Sequence, residues 1–249
     1  MLANKLLYIT GASMLAISLL IGCKREKFAP PVKENFELSD KAFVRLYNGA
    51  VGTARNFLYL NETPLTGAAV GYGGLFPATG GFYSAIPAGQ LNLNVKDTIT
   101  GAVQPVVPVA GTFDAGKRYT IFTYDTATQA KQLTIEDRLE VPADTSARVR
   151  FVNIPFSRNV IPNVDVYSKR KGANVFSNIS LNSATDFIPY EAAQTDTLYV
   201  RVAGSEIGLD TLVTFSPARK RFYTLVFRGN YNINANVPTA RTLTNFLTY

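Results

Sequence analysis

Along LNLNVK, apolar and polar side chains alternate one for one, with Leu91, Leu93 and Val95 on one side and Asn92, Asn94 and Lys96 on the other. A strand sends successive side chains to opposite faces, so the pattern predicts a strand with one face buried and one wet. LYVRV repeats it, with Leu198, Val200 and Val202 set against Tyr199 and Arg201. RYTIFTY (Arg118 to Tyr124) and RFYTLVF (Arg221 to Phe227) do not alternate. They are β-branched and aromatic almost throughout, which predicts central strands covered on both faces. Turn signals separate the runs, at Pro87-Ala88-Gly89, Asp114-Ala115-Gly116, Lys171-Gly172 and Arg228-Gly229-Asn230. Beyond the first apolar segment no stretch has a convincing helical period.

The strands recur as a set. KAFVRLYN (Lys41 to Asn48) matches SARVRFVN (Ser146 to Asn153), with Ala42, Val44, Arg45 and Asn48 repeated as Ala147, Val149, Arg150 and Asn153. LNLNV then matches LYVRV, AGKRYT (Ala115 to Thr120) matches ARKRFYT (Ala218 to Thr224), and KQLT (Lys131 to Thr134) matches RTLT (Arg241 to Thr244). Blocks in the same order mark an internal duplication. About seven short strands per repeat point to a sandwich of immunoglobulin-like type. The predicted fold is all-β: two tandem immunoglobulin-like β-sandwiches, residues 41–140 and 146–249, joined by the short Pro-containing linker EVPADTS. The competing architecture is a single two-sheet domain with internal pseudosymmetry. Arg45 and Arg150 recur at matching positions, which predicts a structural role shared by both repeats.

The start of the chain is of another kind. Residues 1–22 carry one charge, Lys5, followed by the mostly apolar LLYITGASMLAISLLI (Leu6 to Ile21), a secretory signal layout too short for an ordinary membrane span. From residue 23 to 40 the sequence has no strand or helix periodicity and contains Pro30-Pro31, which predicts an extended tether.

Composition removes several chemistries. The chain has 249 residues, no histidine and one cysteine. Nucleophile systems that need His, His-ligated metals, Cys/His zinc sites and an internal disulfide are thereby excluded. No cofactor and no metal is predicted, and the protein reads as non-catalytic. The net charge of +7 is spread along the chain rather than gathered in a block, which argues against nucleic acid as a partner.

The lone Cys23 follows Leu20-Ile21-Gly22 at the end of the apolar run. This quartet resembles the lipobox of bacterial lipoproteins, in which cleavage before the cysteine leaves it as a lipidated first residue. The resemblance implies a membrane anchor through Cys23, and Lys24 in place of Asp implies the outer membrane. Surface export in Bacteroidota is associated with acidic residues after the cysteine, whereas Lys24-Arg25-Glu26-Lys27 is basic, so the face of that membrane stays open. The repeats carry a second resemblance. ARVRFVN, NVDVYS (Asn163 to Ser168), SAIPAGQLNLNV (Ser84 to Val95) and AGKRYTIF (Ala115 to Phe122) are similar to the domain of unknown function 4397. That family implies a β-sandwich outside the cytoplasm and no established activity.

Candidate sites are few. The Gly-rich GAAVGYGGLFPATGGFYS (Gly67 to Ser84) offers Tyr72, Phe76, Phe82 and Tyr83 as an aromatic platform on which sugar rings could stack. The competing reading folds those rings back onto the sandwich. Asp186, Glu191, Asp196, Glu206 and Asp210 could serve carboxylate-based glycoside hydrolysis, but their neighbours mark them as turn residues. Asp-Thr-apolar triplets place Thr98, Thr126, Thr197 and Thr211 in a pattern resembling the O-glycosylation motif of Bacteroidota, against the alternative of turns entering strands. The function expected is an envelope binding or scaffolding module with a glycan or envelope protein as partner. Its alternative is a carbohydrate-binding accessory of a glycan-uptake system.

Overall fold

A computed structural model describes residues 37–98 and 101–249 of the chain. The signal segment, Cys23 and the tether as far as residue 36 lie outside the described residues. Residues 37–249 form one compact unit. It is all β apart from a 3-10 turn at Ala127–Gln129, and no helix among the described residues is long and apolar enough to cross a membrane.

The first repeat contributes β1 (Lys41–Asn48), β2 (Asn56–Leu60), β3 (Thr63–Pro64), β4 (Leu75–Phe76), β5 (Ser84–Pro87), β6 (Gly89–Asp97), β7 (Val107–Phe113), β8 (Arg118–Tyr124) and β9 (Lys131–Glu136). The second contributes β10 (Ala147–Asn153), β11 (Val164–Ser168), β12 (Ala173–Ile179), β13 (Ser183–Ala184), β14 (Ile188–Tyr190), β15 (Asp196–Val202), β16 (Gly208–Phe215), β17 (Phe222–Arg228) and β18 (Thr242–Leu247). Each repeat is a two-sheet sandwich. In the first, the inner sheet runs β4-β1-β8-β9 with β5 also on β1, and the outer sheet runs β3-β2-β6-β7. In the second, β13-β10-β17-β18 with β14 on β10 faces β12-β11-β15-β16. The first strand lies parallel to the penultimate one in both, β1 along β8 and β10 along β17, while the other pairings are antiparallel.

Alternation decides what each strand buries. Ala42, Val44 and Leu46 of β1 enter the core of the first sandwich with Leu93 and Val95 of β6. Ala147, Val149 and Phe151 of β10 enter the second core with Leu198 and Val200 of β15. The remaining residues of the first strands point the other way, and they are buried too. Tyr47 and Phe122 from the first inner sheet form a third cluster with Val152 and Val226 from the second, joined by Ile135 and Phe246. The two inner sheets therefore stack face to face, which is why β8 and β17 read as apolar on both faces. The outer sheets keep one wet face, as LNLNVK and LYVRV predicted.

The ladders correct one detail of the duplication. Set as sequence, KQLT against RTLT pairs Leu133 with Leu243. In the sheets Leu133 lies opposite Phe122 while Leu243 lies opposite Phe227, one residue further along the equivalent strand. A slip of one residue exchanges faces. Accordingly Leu133 packs in the cluster between the sandwiches and Leu243 in the core of the second.

Candidate functional site

The duplicated arginines meet between the sandwiches. Arg45 of β1 and Arg150 of β10 both point out of their own cores, and both reach Asp137, the residue after β9. Arg45 Nη2 lies 3.5 Å from Asp137 Oδ2, and Arg150 Nη2 lies 2.5 Å from Oδ1. The side chains of Arg45 and Asp137 are 0% exposed and that of Arg150 1%, so solvent screens none of this charge. Thr120 and Tyr83 donate to the same carboxylate at 2.6 and 2.8 Å. Arg45 Nε donates to Thr120 Oγ1 and Arg150 Nε to Thr224 Oγ1, both at 2.9 Å. Burial lowers the Arg45 guanidinium from its ordinary value and Asp137 opposes that shift. Burial and the neighbouring carboxylate push the Tyr83 hydroxyl far up, so it stays a donor to Asp137.

Strand registers make the two sides equivalent. Arg45 lies opposite Thr120 and Arg150 opposite Thr224. Tyr83 and Phe187 each precede the short strand beside the arginine strand, and each ring lies 4.7 Å from its guanidinium. Counting along β9 and β18 from Tyr119 and Tyr223, Ile135 corresponds to Phe246 and Asp137 to Thr248.

These last two differences break the symmetry. On the Arg45 side, Phe246 lies 5.0 Å from the guanidinium. The loop between β4 and β5 closes over the same end: Gly81 N donates to Thr248 O at 3.0 Å, and Gly80 sits so close to β18 that a Cβ there would meet Leu247 Cγ at 2.5 Å. On the Arg150 side the smaller Ile135 stands where Phe246 would be, and the connection between β13 and β14 is short. A cleft of about 390 Å³ opens there, lined by Ile135, Arg148, Arg150, Phe187 and Phe222, with Glu140 and Asp186 also on its wall.

Of the four rings of the predicted aromatic platform, Tyr72, Phe76 and Tyr83 turn inward and Phe82 outward. Tyr72 has a buried hydroxyl and lies under Arg228, whose guanidinium carbon is 4.5 Å from the ring. Phe76 packs on the first core as part of β4, and Tyr83 is the Asp137 donor. Phe82 stands apart from them at 63% exposure. Large rings on a glycine loop gain more by covering apolar surface than by facing water.

The carboxylates named from sequence are dispersed. Asp196 accepts from Ser168 and Tyr190 and from the backbone N–H groups of Arg170 and Thr197. Burial would raise it, but these hydrogen bonds outweigh that and hold it below its ordinary value. Glu191 pairs with Arg170, Glu206 lies 3.9 Å from Arg201, and Asp210 accepts from Leu243 N. Asp186 alone of the five reaches the cleft. Among the triplet threonines, Thr98 and Thr211 are exposed. Thr126 contacts the Thr128 hydroxyl at 3.3 Å, and Thr197 donates to Val213 O at 3.0 Å. No cluster of metal-ligating side chains occurs among the described residues.

A second, half-buried aromatic group was not foreseen. Tyr167 and Tyr199 pair across the outer sheet of the second sandwich, and Arg201 lies 3.9 Å over the Tyr167 ring. That guanidinium already occupies the face a ligand would need. The repeated arginines were the sequence signal for the buried centre, whereas Asp137, Ile135 and Phe246 lay beyond the matching blocks and gave none.

Residues 42–160 match the family model described as domain of unknown function (DUF4397). This stretch is a DUF4397-like domain. The match spans the whole first sandwich, the linker and β10, so the DUF4397-like stretch contains Arg45, Asp137 and Arg150 together. No curated protein matches the chain. Among solved structures, the crystal structure of CBMbc, a family 26 carbohydrate-binding module of Eubacterium rectale Amy13K in complex with maltoheptaose, is similar at 11% identity and a TM-score of 0.26. The similarity covers 83% of this chain and 97% of that one. A superposition this loose places no ligand on the DUF4397-like domain.

Proposed function

We propose that the protein is a non-catalytic lipoprotein of the outer membrane, anchored through Cys23, that binds its partner in the cleft between the two sandwiches. The observation that carries the binding part is the broken symmetry around the buried arginine centre, which covers Arg45 with Phe246 and leaves a cleft beside the equally buried Arg150. Its size suits a small ligand, since such sites run from roughly 300 to 1,000 Å³. The anchor rests on the lipobox-like Leu20-Ile21-Gly22-Cys23, and several acyl chains hold a protein to a bilayer far more firmly than one. The glycan-uptake alternative attaches to this cleft, because Tyr72, Phe76 and Tyr83 of the glycine loop turn inward and leave Phe82 without a partner ring for a platform. O-glycans belong at the exposed Thr98 and Thr211 rather than at Thr197, whose hydroxyl is engaged.

Mass spectrometry of the chain extracted from outer membranes tests the anchor. The mature protein is expected to begin at a lipid-modified Cys23, and Cys23→Ser to remain full length and lose the lipid mass. An unmodified amino terminus elsewhere would refute the lipoprotein reading.

A further inference from the structure

The buried centre beneath the cleft holds one more positive charge than Asp137 balances, while the cleft wall carries Glu136 and Arg138 as well. Two guanidiniums share the carboxylate of Asp137, and the equivalent position in the second repeat is Thr248, so no second carboxylate is supplied. Arg45 Nη1 donates to Thr248 O at 3.3 Å. Arg150 pairs through Nη2 with Asp137 and donates through Nε to Thr224 Oγ1, its side chain 1% exposed. Arg148, two residues earlier in β10, lies on the same face of the strand and also lines the cleft, with its Nη1 3.7 Å from Asp144 and donating to Ser146 Oγ and Ala147 O. A buried guanidinium that is only half compensated favours an anion, and its planar fork matches a carboxylate.

The walls narrow the class further. Phe187 and Ile135 give an apolar side. Glu140 and Asp186 hold carboxylates with no ion pair among the described residues, which makes them acceptors for hydroxyl groups and repels a second negative charge on the ligand. We propose that the cleft binds an acidic sugar of uronate type, its single carboxylate on Arg150 and Arg148 and its ring hydroxyls on Glu140 and Asp186. The inference rests on the reading of the cleft as the binding surface.

The symmetry break supplies its own control. Ile135→Phe places in the open side the residue that fills the closed side, so it should block the cleft while suiting the interface. Detergent-solubilised full-length protein is titrated calorimetrically with D-glucuronate and with D-glucose. Glucuronate is expected to bind, with glucose weaker by about tenfold or more because the guanidinium is then left unpaired. Ile135→Phe should lose glucuronate binding and unfold at the wild-type temperature. If that variant does not fold, Arg148→Ala, at a partly exposed position, should weaken glucuronate and leave glucose unchanged. Equal affinity for the two sugars would overturn acid selectivity but leave the cleft as a binding surface. Undiminished glucuronate binding in the folded Ile135→Phe variant would remove the cleft itself, and no glucuronate binding by the wild type would overturn the inference, whatever the lipid measurement shows.

Discussion

Asp137 lies between Arg45 and Arg150, one from each repeat, with its side chain fully buried. Burying ions is costly, and removing one partner of a buried set costs more than the set contributes, because the others are left unpaired. Asp137→Asn keeps the shape and removes the charge, leaving two guanidiniums opposite an amide. It is expected to destabilise the protein by about 3–5 kcal/mol, read from the midpoint of chemical denaturation. A change below about 1 kcal/mol, the range of an exposed pair, would show that the centre contributes no more than a surface ion pair. Asn48 and Asn153, the other repeated polar residues, act locally. Asn48 accepts from Thr53 and Thr123, each at 2.9 Å, and Asn153 donates to Ile179 O and Ser180 O at 3.1 and 3.0 Å. Their buried amides tie loops to the first strand of each sandwich.

Elements were legible where burial follows period. The half-wet strands of the outer sheets and the fully covered β8 and β17 could be read from LNLNVK, LYVRV, RYTIFTY and RFYTLVF, because a strand records in its sequence which faces lose water. What covered the second face of β8 could not be read, since a second repeat and a longer sheet leave the same apolar pattern. The register of β9 against β18 was missed by one residue, because Leu133 and Leu243 match as letters while facing different cores. The loop between β4 and β5 could be read either way for a related reason: its aromatics signal exposure or cover equally well until the partner surface is known. The glycines of that loop do have a measurable job. Gly80→Val adds atoms where β18 leaves no room, so it should lift the loop from Leu247 and speed hydrogen exchange at the Gly81 amide, which donates to Thr248 O. Unchanged protection of Gly81 would mean that the loop does not depend on this close approach.

At the scale of the whole molecule, duplication produced two sandwiches that use the same strand faces against each other, and small departures from symmetry decide where the structure is open. Phe246 and the glycine loop enclose Arg45, and Ile135 with a short connection leaves Arg150 at a cleft. The candidate site was thus partly written in the sequence, as the repeated arginine. The half that creates the cleft was not, because it depends on residues that differ between the repeats. The most direct test of the account is an amide chemical-shift map of the folded protein titrated with D-glucuronate. Perturbations confined to Ile135, Arg148, Arg150 and the segment from Thr185 to Phe187 are the predicted result. Perturbations centred instead on the loop from Tyr72 to Tyr83, or on Tyr167 and Tyr199 of the outer sheet, would contradict it.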